Sequence, residues 1–385
     1  MAMLRLVLRN ALRHRLRSLL TMLGLVVAVL AFGLLQTVVR AWYAGADAAS
    51  ATTLVTRNAT SLTFPLPLAY AAKIRAVPGV SQVAWANWFG GIYQDPKNFF
   101  AQLAISGESY LELYPDFLVE EEALRAFLRD RQGAVIGRKL ARTYGFRVGD
   151  TIPLRGTIYP GDWRLVVRAI YDGRQASTDT AQMLFHWEHL NERVRQRAPQ
   201  EADQVGIYLV KVARAEDSAA VAAAIDNLFR NSLAETLTET EKAFQLSFVA
   251  MSGTIVKAIR LVSFVVILII MAVMANTMAM SARERLAEYA TLKALGFGPG
   301  FLARLIFGES FLLALAGGAL GIALLYPAAA AFGAATGTLF PVFEVAPATL
   351  LQQLGAAFVV GAVAAAAPTW HAARIAIADG LRRVA

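Results

Sequence analysis

The 385-residue chain has no cysteine. That absence removes disulfides, thiolate metal sites and a cysteine nucleophile together, so any part outside the cytoplasm must be held by its own core. No G-x-x-x-x-G-K-[ST] loop occurs either: the nearest basic tract behind a glycine, Gly137-Arg138-Lys139, lacks the flanking glycine and hydroxyl that cradle phosphates. The chain is therefore not expected to hydrolyse ATP. A G-x-S-x-G elbow is missing, and of four histidines only His186 and His189 are close. At i and i+3 they share a helix face near Glu188, which is too few ligands for zinc. No catalytic, cofactor-binding or metal-binding residue is expected. Charge is also scarce: 17% of residues are charged against 57% apolar, with a mean hydropathy of +0.48. A balance this apolar makes the bilayer the solvent for much of the chain.

Apolar residues are unevenly placed. Leu19 to Val39 is 21 residues without a charge, enough at 1.5 Å per residue to cross a hydrocarbon core of about 30 Å. Three further spans crowd the last third: Leu261 to Met280, Leu305 to Tyr326 with one charge at Glu309, and about Leu350 to Ala367. Basic residues lie in residues 1–18, in the connector 281–304 (Arg283, Arg285, Lys293, Arg304) and in the tail (Arg374, Arg382, Arg383). The loop from Pro327 to Thr349 has none. Because short basic loops stay cytoplasmic, four crossings place both termini in the cytoplasm and residues 41 to about 254 outside. A cleaved signal peptide ending near Ala44-Gly45-Ala46 fits less well, since its apolar region is usually 7 to 15 residues. The net charge of +9 does not imply nucleic acid, because the arginines flank spans rather than interleave with aromatics.

The expected fold is an α-helical membrane protein with four transmembrane helices, plus a mixed α/β extracytoplasmic domain of two subdomains inserted between the first and second spans. Residues 1–40 form an interfacial amphipathic helix and the first span; 41–254 form the outer domain, with an inserted subdomain at about 106–200; 255–385 carry the other three spans. Leu4, Leu8, Leu12 and Leu16 recur every fourth residue beside Arg5, Arg9, Arg13 and Arg17. This pattern predicts one helix over the first eighteen residues, its leucines in the acyl boundary and its guanidinium groups on lipid phosphates. In the insert, helices are expected at 69–76, 120–129, 138–146 and 217–232, and strands at 80–88, 100–106, 134–137, 151–154, 163–171 and 205–213. Residues 235–256 carry helical periodicity into the second span, which suggests a helix projecting above the membrane with Lys257 and Arg260 among headgroups.

Between the second and third spans, Ser281 to Gly296 reads as a short amphipathic helix with Gly296 at the left-handed C-cap and a turn at Phe297-Gly298-Pro299-Gly300. Tied to a span at each end and carrying both charge signs, it has the form of a coupling helix, with Arg283, Arg285, Glu288, Lys293 and Gly296 as candidate coupling residues. Inside the spans, Glu309 is a functional candidate by its depth, pairing with Arg304 or positioning the connector. Asn276, with Thr277, is a candidate for an interhelical hydrogen bond, and Gly317, Gly318 and Gly321 for close helix packing and part of a dimer seam.

The connector resembles the FtsX-like permease family, with Glu288, Lys293, Ala294, Leu295 and Gly296 at matching positions and Ala290 where the family usually has glycine. Glu309-Ser310, Gly317-Gly318, Gly321 and the closing Pro368, Ala372, Ala373, Arg374, Leu381 and Arg382 are similar as well. The insert, with Gly149-Asp150 after a helix, resembles the periplasmic core domain of MacB-type transporters. The resemblance implies a permease subunit of an ABC transporter in the cytoplasmic (inner) membrane, paired with a second copy or a paralogue. ATP and Mg²⁺ would belong to a partner ATP-binding subunit docked under the connector. It further implies transmission of ATP-driven movement to the outer domain, for export or lipoprotein extraction with a periplasmic adaptor or lipoprotein as partner. The alternative is an FtsX-like signalling subunit that activates a cell-wall hydrolase.

Overall fold

The computed structural model describes residues 2–11, 13–336, 340 and 342–374. The chain opens with helix α1 (Ala2–Ala11), a turn at Arg13 and His14, and α2 (Arg15–Ala48). Then follow β1 (Thr53–Asn58), β2 (Leu66–Pro67), α3 (Tyr70–Arg75), β3 (Val80–Trp88), β4 (Gly91–Ile92), β5 (Gln102–Ile105), α4 (Glu108–Leu113) and β6 (Phe117–Leu118). Next are α5 (Glu121–Arg129), β7 (Gly133–Gly137), α6 (Arg138–Tyr144), β8 (Thr151–Gly156), β9 (Gly161–Gly173), β10 (Met183–His186) and α7 (Trp187–Arg197). After β11 (Gln204–Val205), β12 (Ile207–Val212), α8 (Ser218–Leu228) and β13 (Thr236–Thr240), the chain leaves through α9 (Glu241–Met251). It ends in α10 (Gly253–Glu284), α11 (Leu286–Ala294), α12 (Pro299–Ala335) and α13 (Pro347–Arg374). Two compact units result, one built from α1, most of α2 and α10 to α13, the other from the strands with α3 to α9.

In the helical unit, α2, α10, α12 and α13 are the four helices among the described residues long and apolar enough to cross a membrane. Leu25, Val29, Met274, Leu305, Ala314 and Ala364 belong to their shared core. Close approach is set by small residues. A Cβ on Gly317 would lie 2.8 Å from Leu25 Cδ2, one on Gly321 3.0 Å from the Val26 carbonyl, and one on Gly318 2.8 Å from Ala357 Cβ. These glycines therefore seat α12 against α2 and α13 of the same chain. Polar side chains join the same helices: Gln353 Nε2 donates to the Val29 carbonyl at 2.8 Å and Ser310 Oγ to the Gly361 carbonyl at 2.7 Å. With no water to compete, such bonds contribute about 1 kcal/mol each.

Three expectations about the helices change. α1 stops at Ala11 instead of running through residue 18, so Arg13 lies in a turn and Arg17 in α2. α12 continues through Pro327, where a loop was expected; the Ala323 carbonyl loses its usual partner, but the alanine run 328–331 carries the helix on. The helical run at 235–256 begins instead as strand β13 and is interrupted at Ser252. Alternating Thr236, Thr238 and Thr240 suit a strand, and Asp226 fixes it by accepting from the Thr236 and Thr238 hydroxyls at 2.9 and 2.7 Å.

The second unit is organised on an 11-stranded mixed sheet in the order β13-β1-β12-β3-β5-β10-β7-β9-β8-β4, with β6 on β9. Pairs β5–β10 and β7–β9 are parallel. The ladder passes without a break from the flanking strands to those of the insert through the parallel β5–β10 pair. Both faces are covered. Leu54, Val83, Ile136 and Phe185 pack in one core cluster, while their neighbours Val55, Ala84, Val135 and Leu184 pack in another. Strands buried on both faces carry continuous apolar runs such as Ala134-Val135-Ile136 rather than alternation. Gly137 closes this run where a Cβ would lie 2.0 Å from the Thr180 carbonyl oxygen. Gly137→Ala should therefore force β7 away from the segment before β10 and destabilise the unit by about 1–3 kcal/mol. Thermal unfolding of the purified protein in detergent should give a lower midpoint; an unchanged midpoint would contradict the close approach.

Candidate coupling site

The connector α11 begins at Arg285, a residue outside regular helix between α10 and α11. Arg285 is 3% exposed and its Nη1 donates to Glu309 Oε2 of α12 at 2.7 Å; Glu309 is itself 6% exposed. Nη2 donates to the Asn10 carbonyl of α1 at 2.8 Å, while Nε has no partner among the described residues. One guanidinium thus joins the connector, the third span and the N-terminal helix. Removing one member of a buried pair leaves the other charge stranded, a cost of about 3–5 kcal/mol, so the three segments are hard to separate. Beside this pair, burial pushes the Tyr289 phenol up to about 12, keeping it neutral next to Arg285.

A second set of contacts lies outside this buried pair. Arg13 pairs with Glu288, and Arg17 meets Glu284 in a fork with two bonds of 2.7 Å. Two arginines four residues apart meet two glutamates four residues apart, running in opposite directions. Half-exposed pairs of this kind are screened by solvent, so they steer the turn rather than hold it. At the other end of the connector, Lys293 Nζ donates to the Ala373 carbonyl near the end of α13 at 2.8 Å. Gly296 takes φ +90°, and Phe297 N–H donates to the Leu292 carbonyl at 3.0 Å to close the helix. Leu295 remains 70% exposed and Phe297 43% exposed, its ring 4.7 Å from Phe301. The connector is therefore fixed on its inner side and apolar on its bare end.

Comparison with known families decides what this arrangement belongs to. Residues 18–228 match the model of the MacB-like periplasmic core domain, and residues 260–377 that of the FtsX-like permease C-terminal domain. The chain belongs to the MacB/FtsX-type permeases. It is an ABC-type transporter permease, a protein of the cytoplasmic membrane with an extracytoplasmic domain. Searched against curated proteins, the permease finds no match. Among solved structures it is similar to the extracellular domain of the noncanonic ABC-type transporter YknZ from Gram-positive bacteria, at 11% identity and a TM-score of 0.34 over 49% of this chain and 100% of that one. It is also similar to the periplasmic region of MacB from Actinobacillus actinomycetemcomitans, at 9% identity and a TM-score of 0.36 over 52% of this chain and 94% of that one. A domain of a putative permease protein from Porphyromonas gingivalis gives 18% identity and a TM-score of 0.31 over 49% and 88% of the two chains.

The expected coupling residues of the permease fall into distinct roles. Arg285, Glu288 and Lys293 are used inward, Gly296 shapes the cap, and Arg283 is exposed with no ion pair among the described residues. Glu309 pairs with Arg285 and not with Arg304, which points outward from α12. Asn276 is exposed and makes no interhelical hydrogen bond among the described residues; Thr277 Oγ1 returns to the Val273 carbonyl of its own helix. Of the four arginines expected on lipid, Arg9 is exposed on α1, Arg13 and Arg17 are taken by carboxylates, and the side chain of Arg5 lies outside the described residues. Glu284 and the Asn10 carbonyl escaped sequence reasoning, although the matched i, i+4 spacing of 13/17 and 284/288 carried the signal for the first. His186 and His189 do not converge: His186 Nε2 bonds the Phe127 carbonyl at 2.8 Å, and His189 packs edge-on against Trp163.

Glu309→Ala should strand the Arg285 guanidinium and lower the unfolding midpoint of the purified permease sharply. The paired change Arg285→Met with Glu309→Leu, which removes both charges, should recover most of that loss. Equal damage from the single and the double variant would contradict the pairing.

Proposed function

We propose that this permease transmits the ATP-driven movement of a partner ATP-binding subunit to its extracytoplasmic domain, for export or for extraction of a lipoprotein from the membrane. The observation that carries this reading is the Arg285 node, which makes the connector continuous with α1 and α12 while Leu295 and Phe297 stay bare. A push received on the bare end has no slack to absorb it before it reaches the third span. The reading places both termini in the cytoplasm, ATP and Mg²⁺ in the partner subunit, and a second copy or a paralogue beside this chain. A periplasmic adaptor or a lipoprotein completes the assembly, with membrane lipid around the spans and no cofactor held by the chain itself.

Membranes expressing tagged permease with its ATP-binding subunit test the reading. Leu295→Asp with Phe297→Asp should reduce capture of the ATPase at least about tenfold, since buried aromatic and aliphatic anchors dominate such interfaces. Insertion of the permease should be unchanged. Undiminished capture would place the docking elsewhere, and a cell-wall hydrolase or its activator in the same complex would turn the reading to signalling.

A further inference from the structure

Glu241 places a carboxyl group in the core of the extracytoplasmic unit, 8% exposed. It stands at the first residue of α9, a position where a carboxylate is often used to satisfy the helix N-terminus. Here that task is already done: the Thr240 hydroxyl accepts from the Ala243 N–H at 3.2 Å. The carboxylate of Glu241 turns elsewhere. Its Oε2 accepts from the backbone N–H of Ser50 at 3.0 Å, and its Oε1 accepts from the Tyr114 hydroxyl at 2.7 Å. Ser50 lies just after the end of α2, on the stretch that carries the chain from the first span into β1. Tyr114 closes α4, inside the segment 106–200, and its ring packs at 5.0 Å from Tyr110 and 5.4 Å from Phe117. Phe117 in turn lies 4.7 Å from Tyr171 of β9. Lys211 of β12 adds a favourable charge to the same carboxylate.

Three segments that are distant in sequence therefore meet on two oxygens: the exit from the first span, the helix leading to the second, and the aromatic stack of the insert. An apolar side chain at 241 would pack α9 without burying a carboxyl group, but it would leave the Ser50 N–H and the Tyr114 hydroxyl without this acceptor. We propose that Glu241 is a positioning residue for the transmission step, clamping both routes into the outer domain to Tyr114 so that they turn as one piece. This rests on the transmission reading above.

The test uses the complex of permease and ATPase in nanodiscs, with spin labels on introduced cysteines, the natural chain having none. One pair, Asp47→Cys with Val148→Cys, lies within the outer unit and reads the clamp; a second, Thr291→Cys with Val148→Cys, reads transmission. Tyr114→Phe and Glu241→Ala should each at least double the width of the 47–148 distance distribution, and Glu241→Gln, which keeps one acceptor, should fall between them and the unmodified chain. In the same variants the nucleotide-driven change at 291–148 should drop to less than half with ATPase turnover near that of the unmodified complex, and in Tyr114→Phe, where Glu241 keeps its Ser50 bond, with the unfolding midpoint near it as well. A purely structural role would lower the midpoint without this loss. An unchanged 47–148 width in Tyr114→Phe and Glu241→Ala overturns the clamp. A 291–148 distance that ignores nucleotide in the unmodified complex, with the 47–148 width still broadened by the variants, overturns transmission and leaves Glu241 a fold residue, so the proposed role falls with it.

Discussion

Two opposite charges with almost no access to solvent, Arg285 and Glu309, govern how the connector end of this permease is built. Neither can be left alone at that burial, so the turn before the connector must lie against the third span. The second Nη of the same guanidinium then fixes the Asn10 carbonyl, which places the end of α1. With α1 ended there, Arg13 and Arg17 fall opposite Glu288 and Glu284, and Lys293 closes the far end on α13. Leu295 and Phe297 at the end of the connector stay bare.

The outer unit solves a different problem with the same economy. Without disulfides it relies on a sheet packed on both faces, whose strands run unbroken from the flanks into the insert. An unbroken ladder resists shear between its parts, because slipping one strand by a residue would turn its buried side chains to the wrong face. Glu241 adds a polar tie where the two membrane-connected segments enter this sheet.

Elements set by strong local physics could be read from the sequence. The spans follow from bilayer thickness, the connector from Gly296 and its turn, and strands such as Ala134 to Gly137 from dense apolar runs. Segments whose state is decided by distant partners could not. Residues 236–240 carry the periodicity of the helix after them, yet β1 and Asp226 make them a strand. Pro327 marks a loop in most settings, but a helix in lipid keeps its backbone bonds wherever it can. Arg304 lies nearer to Glu309 in sequence than Arg285 does, and only the fold of the connector reverses that order. The arginines of the first eighteen residues show the same limit, since a spacing of four suits lipid phosphates and a facing pair of glutamates equally well.

The central claim is that the N-terminal helix, the connector and the third span move as one block when the ATPase works. Paired labels at Leu8→Cys on α1 and Thr291→Cys on α11, measured by pulsed electron paramagnetic resonance in the complex, address it directly. The account predicts one narrow distance, the same in the nucleotide-free and vanadate-trapped states. Two distances that exchange with nucleotide would contradict it.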